Sequence, residues 1–369
     1  MARRLHIYVP HLGTGGGELS LMRLAEGLAR TGWDVTFIVH GEARRPAPLP
    51  AAVGIRTLQA RRTLDAIWKL ARFIRREKVE LLLTAFPHGN AAAVAARALS
   101  GSGCRLVLSD HAPLAQQVRR MGGWRYRLVP WMVRWCYPRA DAVVGVSSGV
   151  CEDLRARLPA NMPPRLIYNP VLPPDLGALC TAPAPHPWLA DPGLKVVLSV
   201  SRLSREKNLG SLLQAFAQVA RDDASARLVV AGDGPEKAAL EQLARGFGLA
   251  DRVHFPGEVR NPFAWMSRAR VFVLASQFEG FGNVLVEALA AGAHVVSTDC
   301  PVGPREILRG GDLGALVPVD DAPALSSAIA MALARPPRAV DRQSIASYTQ
   351  DRSCAAYASL FESLTAAPR

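Results

Sequence analysis

Short apolar segments alternate with helical patterns along most of the chain, and this alternation is the feature that most constrains the fold. The first run of apolar segments is LHIYVP (5–10), DVTFIVH (34–40), LLLTAF (81–86), RLVLSD (105–110) and DAVVGVS (141–147). Each is apolar enough to be buried on both faces of a parallel sheet. Residues 18–30 and 64–78 predict helices between them. In the second of these helices one apolar stripe is formed by Leu64, Ile67, Trp68, Ala71 and Ile74.

A proline-rich stretch divides this alternation into two halves. Residues 159–192 carry a density of proline that helices and central strands do not tolerate. The second run of apolar segments is KVVLSVSRL (195–203), ARLVVAGDG (226–234), RVHFPG (252–257), RVFVLAS (270–276) and HVVSTD (294–299), and helical patterns follow at 321–335 and 343–366. We predict an α/β protein with right-handed βαβ units, in which Rossmann-like domains at 1–170 and 193–349 flank a linker at 171–192.

Length and composition agree with two domains. A chain of 369 residues with 49% hydrophobic residues is long enough for two cores. No stretch approaches the roughly 20 apolar residues that span a membrane, and the apolar run before Pro10 indicates a first strand and not a signal peptide. The six cysteines are widely spread without a CxxC, which favours reduced thiols. We expect a cytoplasmic protein, soluble or peripherally bound to the inner face of the cell membrane.

The excess of positive charge lies in the first half. Residues 1–185 contain 25 Lys and Arg against 12 Asp and Glu, whereas residues 186–369 contain 19 of each. A genome-wide bias towards arginine is one explanation, but it would not leave the second half neutral. The first half is therefore expected to meet an anionic partner, which could be nucleic acid, anionic lipid or an anionic substrate.

Residues 276–292, SQFEGFGNVLVEALAAG, combine a strand exit, a glycine turn and a helix that begins at Asn283. Such a turn aims backbone N–H groups and the positive end of a helix at an anion, typically a phosphate. Two carboxylates eight residues apart, Glu279 and Glu287, frame the turn. Carboxylates would repel phosphates but accept hydrogen bonds from hydroxyls. A ligand with diphosphate and polyol parts, such as a nucleotide sugar, fits both requirements.

This stretch resembles the E-x7-E signature of the retaining glycosyltransferases with the GT-B fold, family 4, a bacterial group that builds polysaccharides, lipid-linked oligosaccharides and glycolipids. The resemblance covers most of the chain. It implies two Rossmann-like domains that face each other across a cleft, with a C-terminal helix, about 350–369, that crosses back to the first domain. It also implies that Glu279 holds sugar hydroxyls and Glu287 the ribose. The other donor-binding residues that it implies here are Gly280, Phe281, Gly282, Asn283, Val284 and Leu285.

Two features of the first half match the family's site. The loop HLGTGGG (11–17) places glycines between the first strand and the first helix, where the backbone can approach a ligand closely. By resemblance it contacts the acceptor or the donor diphosphate, and we assign donor binding to Gly15, Gly16 and Gly17. His111 follows the strand predicted at 105–110, where ligands gather in open α/β sheets. By resemblance it orients the transferred sugar.

The segment SVSRLSREKNL (199–209) supplies two cations, Arg202 just past a strand end and Lys207 five residues later. A guanidinium and an ammonium that converge on a diphosphate stabilise the charge of the departing group. The family has an Arg-then-Lys pair at both positions. We predict a catalytic set of His111, Arg202, Lys207 and Glu279.

Two further loops are placed by the resemblance alone. VHFPGEV (253–259) would offer main-chain groups to the nucleobase at Val253 and Phe255, and CPVGPREIL (300–308) would lie near the cleft. Main-chain contacts leave the identity of the base open.

The sequence contains no Asp-x-Asp and no cluster of His, Cys or carboxylates with metal-ligand spacing. We therefore expect neither a metal nor another cofactor, with the diphosphate charge met by Arg202, Lys207 and the helix that begins at Asn283. The resemblance implies retention of the anomeric configuration. Because no carboxylate stands out as a nucleophile, we favour front-face attack, in which a phosphate oxygen of the donor takes the acceptor's proton.

Residues 118–139 interleave aromatic and basic side chains. The aromatic residues are Trp124, Tyr126, Trp131, Trp135 and Tyr137, and the arginines are Arg119, Arg120, Arg125, Arg127, Arg134 and Arg139. This mixture suits an anionic bilayer interface, a single-stranded nucleic acid or, for some of the aromatics, a protein core. Because the segment follows His111 in the basic half, we interpret it as the wall of the acceptor site and a membrane-docking surface.

The leading hypothesis is a retaining, metal-independent glycosyltransferase. It would move a sugar, for example an N-acetylhexosamine, from a UDP-sugar to a lipid-linked or otherwise anionic glycan acceptor at the cytoplasmic membrane face, with no nucleic acid partner. A GDP-mannose-dependent mannosyltransferase of the same fold is one alternative. A basic nucleic-acid-binding or regulatory protein without transferase activity is the alternative of another class.

Overall fold

The structure is a computed structural model that describes residues 3–13, 15–41, 51–60, 63–114, 129–336 and 341–366. The chain divides into two compact units, Met1–Val171 with Ser347–Arg369, and Leu172–Ala346. Each unit is a parallel β-sheet covered by helices. The predicted α/β class with two Rossmann-like domains is confirmed.

The described residues of the first unit form seven parallel strands: β1 (Arg3–Tyr8), β2 (Trp33–Val39), β3 (Val53–Thr57), β4 (Leu81–Ala85), β5 (Arg105–Asp110), β6 (Ala142–Gly145) and β7 (Arg165–Leu166). Their order in the sheet is β3-β2-β1-β4-β5-β6-β7. The helices between them are α1 (Gly16–Arg30), α2 (Thr63–Arg76), α3 (Pro87–Ser100), α4 (Val129–Cys136) and α5 (Ser148–Arg155).

The second unit holds six parallel strands: β8 (Lys195–Val200), β9 (Ala226–Ala231), β10 (Val253–Gly257), β11 (Val271–Leu274), β12 (His294–Thr298) and β13 (Ala315–Val317). Their order is β10-β9-β8-β11-β12-β13. The helices are α6 (Leu176–Thr181), α7 (Leu209–Asp222), α8 (Lys237–Gly246), α9 (Pro262–Met266), α10 (Asn283–Ala291), α11 (Pro304–Ile307), α12 (Ala322–Leu333) and α13 (Arg342–Ile345).

All ten predicted strands occur, and the sequence patterns missed three others. The missed strands β3, β7 and β13 each lie at an edge of a sheet. They are short, and much of their surface is exposed or half-buried. A search for apolar runs finds strands that are buried on both faces, so these edge strands carry too weak a signal.

The chain ends with α14 (Gln350–Ala366), which packs against α1 in the first unit. Arg30 donates a hydrogen bond of 2.7 Å to the Gln350 side chain, and the Phe361 ring lies in the core of this unit. Close helix packing explains Gly27, because a Cβ atom at that position would lie 2.4 Å from Cys354 Sγ. The last helix thus completes the hydrophobic core of the first unit.

The proline-rich stretch does not stand apart as a linker, because its residues from Leu172 onwards group with the second unit. Helix α6 lies within the predicted linker and packs against α9. Asn261 donates a hydrogen bond of 2.9 Å to the Leu179 carbonyl, and Ser267 donates one of 2.8 Å to the Cys180 carbonyl. The backbone carbonyl groups of the proline-rich stretch accept these hydrogen bonds, because proline removes a backbone N–H but not a carbonyl.

The apolar stripe predicted on α2 does not lie on a single buried face. The buried side chains of this helix include Leu70, Ala71 and Ile74, but Leu64 and Trp68 point outward. The apolar residues of this helix therefore occupy two faces, one on the sheet and one in solvent.

Candidate active site

The predicted donor residues of the second unit gather at a reversal of strand order. Strands β9 and β11 lie on opposite sides of β8, so the order reverses between β8 and β11. Arg202 and Lys207 follow β8, and Glu279 follows β11. Ligands of open α/β sheets bind beyond the carboxyl ends of the strands at such a switch point.

Lys207 and Glu279 form a largely buried ion pair at this point. Lys207 Nζ lies 2.5 Å from Glu279 Oε1, and Ser276 Oγ donates a hydrogen bond of 2.7 Å to the same oxygen. Among the described residues no hydrogen bond or ion pair is formed with Oε2 of this carboxylate. One oxygen thus fixes the position of the lysine, while the other can accept a hydrogen bond from a ligand hydroxyl. The sequence predicted both residues but did not predict that they pair with each other.

A thiol lies close to this ion pair. Cys300 is buried in the loop after β12. Burial, with a further contribution from the Glu279 carboxylate, raises the pKa of the Cys300 thiol to about 12. Cys300 is therefore protonated at neutral pH and adds no negative charge.

Arg202 is exposed, and no ion pair joins it to another residue in the described part of the chain. The backbone on both sides of it is fixed by the GDG turn after β9. A Cβ atom on Gly232 would lie 1.8 Å from the Ser201 carbonyl oxygen, and Leu203 N donates a hydrogen bond of 2.9 Å to the Asp233 carbonyl. The guanidinium is thus held on a rigid turn with its donors available to an anion.

The glycine turn before α10 has the predicted geometry. Gly282 is the N-cap residue with φ +96°, a left-handed conformation that favours glycine. The following loop approaches it closely, because a Cβ atom on Gly303 would lie 1.8 Å from the Phe281 carbonyl oxygen. The side chains of Phe281 and Leu285 are buried, so these residues can offer only their backbone to a ligand.

The remaining residues of the E-x7-E stretch lie on α10 itself. Asn283 and Val284 are half-buried in its first turn, and the Glu287 carboxylate is buried one turn further on. The helix therefore presents its N-terminal end at the same switch point as Glu279. The roles of these residues in donor binding stay predictions.

Strand β10 lies at the edge of the second sheet, and its pairing with β9 shifts in register between His254 and Gly257. The Val253 side chain is buried, and the Phe255 side chain packs partly buried on the core. The shift interrupts the regular hydrogen-bond ladder between these two strands. The nucleobase contact itself stays a prediction.

The first unit has its own switch point, between β1 and β4. The glycine loop follows β1, Phe86 follows β4, and His111 follows the next strand, β5. The Phe86 and His111 rings lie 5.3 Å apart, and a Cβ atom on Gly17 would come within 2.9 Å of Phe86 Cε1. The structure thus brings Gly17 and His111 together through Phe86, a residue that sequence reasoning missed.

Phe86 has an unusual backbone, with φ +67° and ψ 141°. Residues other than glycine rarely occupy this region, and the cost is about 1–3 kcal/mol. Two hydrogen bonds hold it, from Phe86 N to the Ser109 carbonyl (3.2 Å) and from Asn90 N to the Phe86 carbonyl (2.8 Å). This strained backbone conformation directs the Phe86 ring towards Gly17 and His111. The position of Phe86 at the end of β4, next to the switch point, is the signal that could have identified it.

The His111 ring is neutral, since burial lowers the pKa of His111 to about 4. Its Nε2 lies 3.3 Å from Ser109 Oγ, and its buried Nδ1 has no hydrogen-bond partner among the described residues. A neutral imidazole can donate or accept a hydrogen bond but brings no positive charge. The role of His111 in orienting the transferred sugar stays a prediction.

A buried polar cluster lies beside His111. Tyr137 donates a hydrogen bond of 2.9 Å to Asp110 Oδ2, and Asn90 Nδ2 donates one of 2.8 Å to the Tyr137 hydroxyl. Burial raises the pKa of Asp110 to about 7, against the opposing effect of the Tyr137 hydrogen bond. Tyr137 belongs to the aromatic segment, so this member of the segment is core.

The glycine loop before α1 carries a carboxylate of its own. A Cβ atom on Gly15 would lie 2.5 Å from Glu18 Oε2, so the Glu18 side chain lies over the start of α1. A carboxylate is stabilised at a helix N-terminus, but there it repels a phosphate. Gly15 and Gly16 are exposed, and this end of the loop favours a ligand hydroxyl over a diphosphate.

The aromatic and basic segment is described only in part, since residues 118–128 lie outside the described residues. In the remainder, the side chains of Trp131, Arg134 and Trp135 are exposed on α4, and Arg139 is exposed in the following turn. No helix in the described part of the chain is long and apolar enough to cross a membrane.

Comparison with known proteins identifies both halves of the chain. The family model described as Glycosyltransferase Family 4 matches residues 14–173, and the one described as Glycosyl transferases group 1 matches residues 194–335. The Campylobacter jejuni N-acetylgalactosamine-N,N'-diacetylbacillosaminyl-diphospho-undecaprenol 4-alpha-N-acetylgalactosaminyltransferase is 34% identical over 194 residues, which are 52% of this chain and 50% of that protein. The first relatives are therefore matched over half of their length or less.

Other similarities extend over most of the chain. The Rhizobium meliloti lipopolysaccharide core biosynthesis glycosyltransferase LpsE is 28% identical over 329 residues, 86% of each protein. The Anabaena protein HepE, solved in complex with UDP-glucose, superposes with a TM-score of 0.72 at 20% identity, over 98% of this chain and 97% of its own, and therefore shares the fold. Two family models that together span both units, and the GT-B fold of the neighbours, lead to one conclusion: the chain belongs to the GT-B glycosyltransferases of family 4.

Proposed function

We propose that the protein is a retaining glycosyltransferase that takes a sugar from a UDP-sugar and transfers it to a lipid-linked or otherwise anionic glycan acceptor. The observation that carries this proposal is the Lys207–Glu279 pair at the switch point of the second sheet, beside the exposed Arg202. Cations for a diphosphate and a carboxylate oxygen for a hydroxyl are what a nucleotide sugar requires. The UDP-glucose bound to HepE and the diphospho-undecaprenol in the name of the Campylobacter enzyme support the donor and acceptor classes.

In the proposed reaction Arg202, Lys207 and the start of α10 stabilise the diphosphate as it leaves. Glu279 Oε2 accepts from a hydroxyl of the transferred sugar, and Glu287 accepts from the ribose. The bond between C1 of the sugar and the phosphate oxygen breaks while a bond from the acceptor oxygen to C1 forms on the same face. The acceptor's proton passes to an oxygen of the leaving phosphate. The protein's cations carry the charge without a metal.

The first unit would hold the acceptor. The Phe86 ring and the neutral His111 bring no charge to this edge, which suits an uncharged sugar more than a phosphate. Residues 118–139 would contact an anionic membrane at the cytoplasmic face. The transferred sugar would be an N-acetylhexosamine, as in the name of the Campylobacter relative.

A thermal-shift series with UDP, GDP, ADP and TDP tests the donor, because a ligand that binds only the folded state raises the melting temperature. We expect stabilisation by UDP and its loss in Glu287→Ala. Stabilisation by GDP alone would replace the UDP assignment with the GDP-mannose alternative. Stabilisation by none of the four, together with oligonucleotide binding that survives Glu287→Ala, would overturn the transferase proposal in favour of a nucleic-acid-binding protein.

A further inference from the structure

Two helices of the first unit each expose a pair of large apolar side chains, and α3, against which both pack, exposes Leu99. On α2, Leu64 is 75% exposed and Trp68 is 66% exposed; on α4, Trp131 and Trp135 are 65% and 60% exposed. In each helix the two residues are one turn apart and share one face. On α2 the stripe continues to the exposed Arg72 in the next turn. Only the α4 pair lies in the segment that the sequence singled out.

These two helices belong to one layer of the unit. Both α2 and α4 pack against α3. The crossovers that contain them run in one direction along the sheet, whereas the crossover through α1 runs in the other. Right-handed crossovers therefore place the α2, α3 and α4 layer on one face of the sheet, and α1 with α14 on the opposite face.

The two layers differ in charge. The face that carries α2, α3, α4, the turn Tyr137–Arg139 and α5 contains eight Lys and Arg and three acidic residues, whereas α1 and α14 together contain three basic and four acidic residues. Among the described residues of α1 and α14, no large hydrophobic side chain is exposed. The exposed tryptophans thus coincide with the basic layer of the unit.

An anionic bilayer fits this surface better than a protein does. Tryptophan rings sit at the level of lipid headgroups, and arginines keep their charge in water while they meet lipid phosphates. A dry protein interface would have to desolvate the arginines, each at a cost, unless the partner paired them. A lipid surface satisfies the apolar and the basic residues together.

We propose that the outward faces of α2 and α4 dock the first unit on an anionic lipid surface, with Leu64, Trp68, Trp131 and Trp135 among the headgroups and Arg72, Arg75 and Arg134 on the phosphates. This surface, the aromatic face, extends the membrane contact to α2, a helix outside residues 118–139. The inference rests on the proposed function, in which the acceptor is lipid-linked.

The test is co-sedimentation of the full chain with vesicles of phosphatidylcholine alone or with about a third phosphatidylglycerol. We expect binding to the anionic vesicles. The variant Trp68→Ser/Trp131→Ser should bind them about ten-fold more weakly, and Arg72→Glu/Arg75→Glu should also lose about ten-fold, since each basic residue near an anionic surface contributes a several-fold effect. Met331→Ser is the matched control, because Met331 is 63% exposed on α12 of the second unit, and it should bind like the unaltered chain.

Three results would overturn the inference. The first is equal binding to both kinds of vesicle, and the second is unchanged vesicle binding by Trp68→Ser/Trp131→Ser. The third is that this variant loses self-association in sedimentation velocity without a change in its vesicle binding. The last would make the aromatic face a contact between copies. Stabilisation by UDP, measured in parallel, separates this inference from the proposed function. UDP binding without vesicle binding rejects only the docking, and vesicle binding without any nucleotide binding rejects only the transferase assignment.

Discussion

The carboxyl edges of the two sheets have the same topology but opposite chemistry. At each edge the strand order reverses and loops rich in glycine gather. In the second unit this point holds Arg202 and the Lys207–Glu279 ion pair, whereas in the first it holds the strained Phe86 beside a neutral His111. In the proposed function this difference divides the roles of the two edges, with the diphosphate at the charged edge and an uncharged sugar at the neutral one.

The largest effect is expected from Lys207→Met. This change leaves Glu279 largely buried without its counter-charge and removes a cation from the leaving diphosphate. We expect kcat/KM to fall by about 100- to 1,000-fold, as for the loss of one preorganised charge-stabilising donor. Steady-state kinetics with the donor that the thermal-shift series identifies would measure it.

Lys195→Met is the matched control for this prediction. Lys195 lies at the opposite end of β8 in a more exposed ion pair, 2.9 Å from Asp223. It should retain nearly full activity. Similar losses in both variants would mean that the second unit needs its ion pairs for folding and not for catalysis.

The next largest effect is expected from Asp110→Asn, which should change how the free energy of unfolding depends on pH. Because the pKa of Asp110 in the folded chain, about 7, is above the ordinary value of 3.8, the folded state binds more protons than the unfolded state between these values. The stability that Asp110 contributes is therefore present below about pH 4 and is lost as pH rises through 7. Asp110→Asn removes this loss.

The measurement is urea unfolding of both proteins at pH 5 and pH 8. From pH 5 to pH 8 the free energy of unfolding of Asp110→Asn should rise relative to that of the unaltered chain by on the order of 2 kcal/mol. If the difference in the free energy of unfolding between the two proteins does not change with pH, burial does not hold the Asp110 carboxyl protonated. The description of this edge as neutral would then be wrong.

Much of this architecture could be predicted from sequence because buried parallel strands are continuous apolar runs. The same reasoning failed where the environment and not the residue type decides. Trp68 is apolar yet faces solvent, and β3 has too little buried surface to be recognised. In the candidate site, the glycines and the charged residues could be recognised from their sequence patterns. The pairing of Lys207 with Glu279 could not be predicted, because it depends on β8 and β11, which are distant in sequence, being neighbours in the sheet. Phe86 was missed because its role comes from a backbone angle, to which only its position after β4, next to the switch point, could have pointed.

Phe86 should affect the chemistry of the first edge by a smaller factor. Phe86→Gly removes the ring that shields His111 and also relieves the backbone strain. We expect the pKa of His111 to rise from about 4 towards its ordinary value of 6.5, and activity to fall by about ten-fold. Titration of the His111 ring by NMR reports the first effect independently of activity.

The comparison variant is Phe86→Ala, which removes the ring but keeps the strain. Phe86→Gly should be more stable than Phe86→Ala by about 1 kcal/mol, because glycine alone tolerates the positive φ. An unshifted His111 pKa in both variants would refute the role of Phe86 as the shield of that ring.

The smallest effect is expected from Glu18→Gln, and it tests why the first edge should exclude phosphate. The Glu18 carboxylate lies over the start of α1, where it interacts favourably with the helix and unfavourably with any anion that approaches Gly15. Its neutralisation should lower the free energy of unfolding by about 0.5 kcal/mol and let inorganic phosphate bind the first unit several-fold more tightly. Chemical-shift changes of the Gly15 and Gly16 amides on phosphate titration would measure the binding, with Glu26→Gln in the middle of the same helix as the control. If phosphate binds the unaltered chain as tightly as the variant, Glu18 does not discriminate against anions, and the glycine loop of the first unit would be as suited to a diphosphate as the turn before α10.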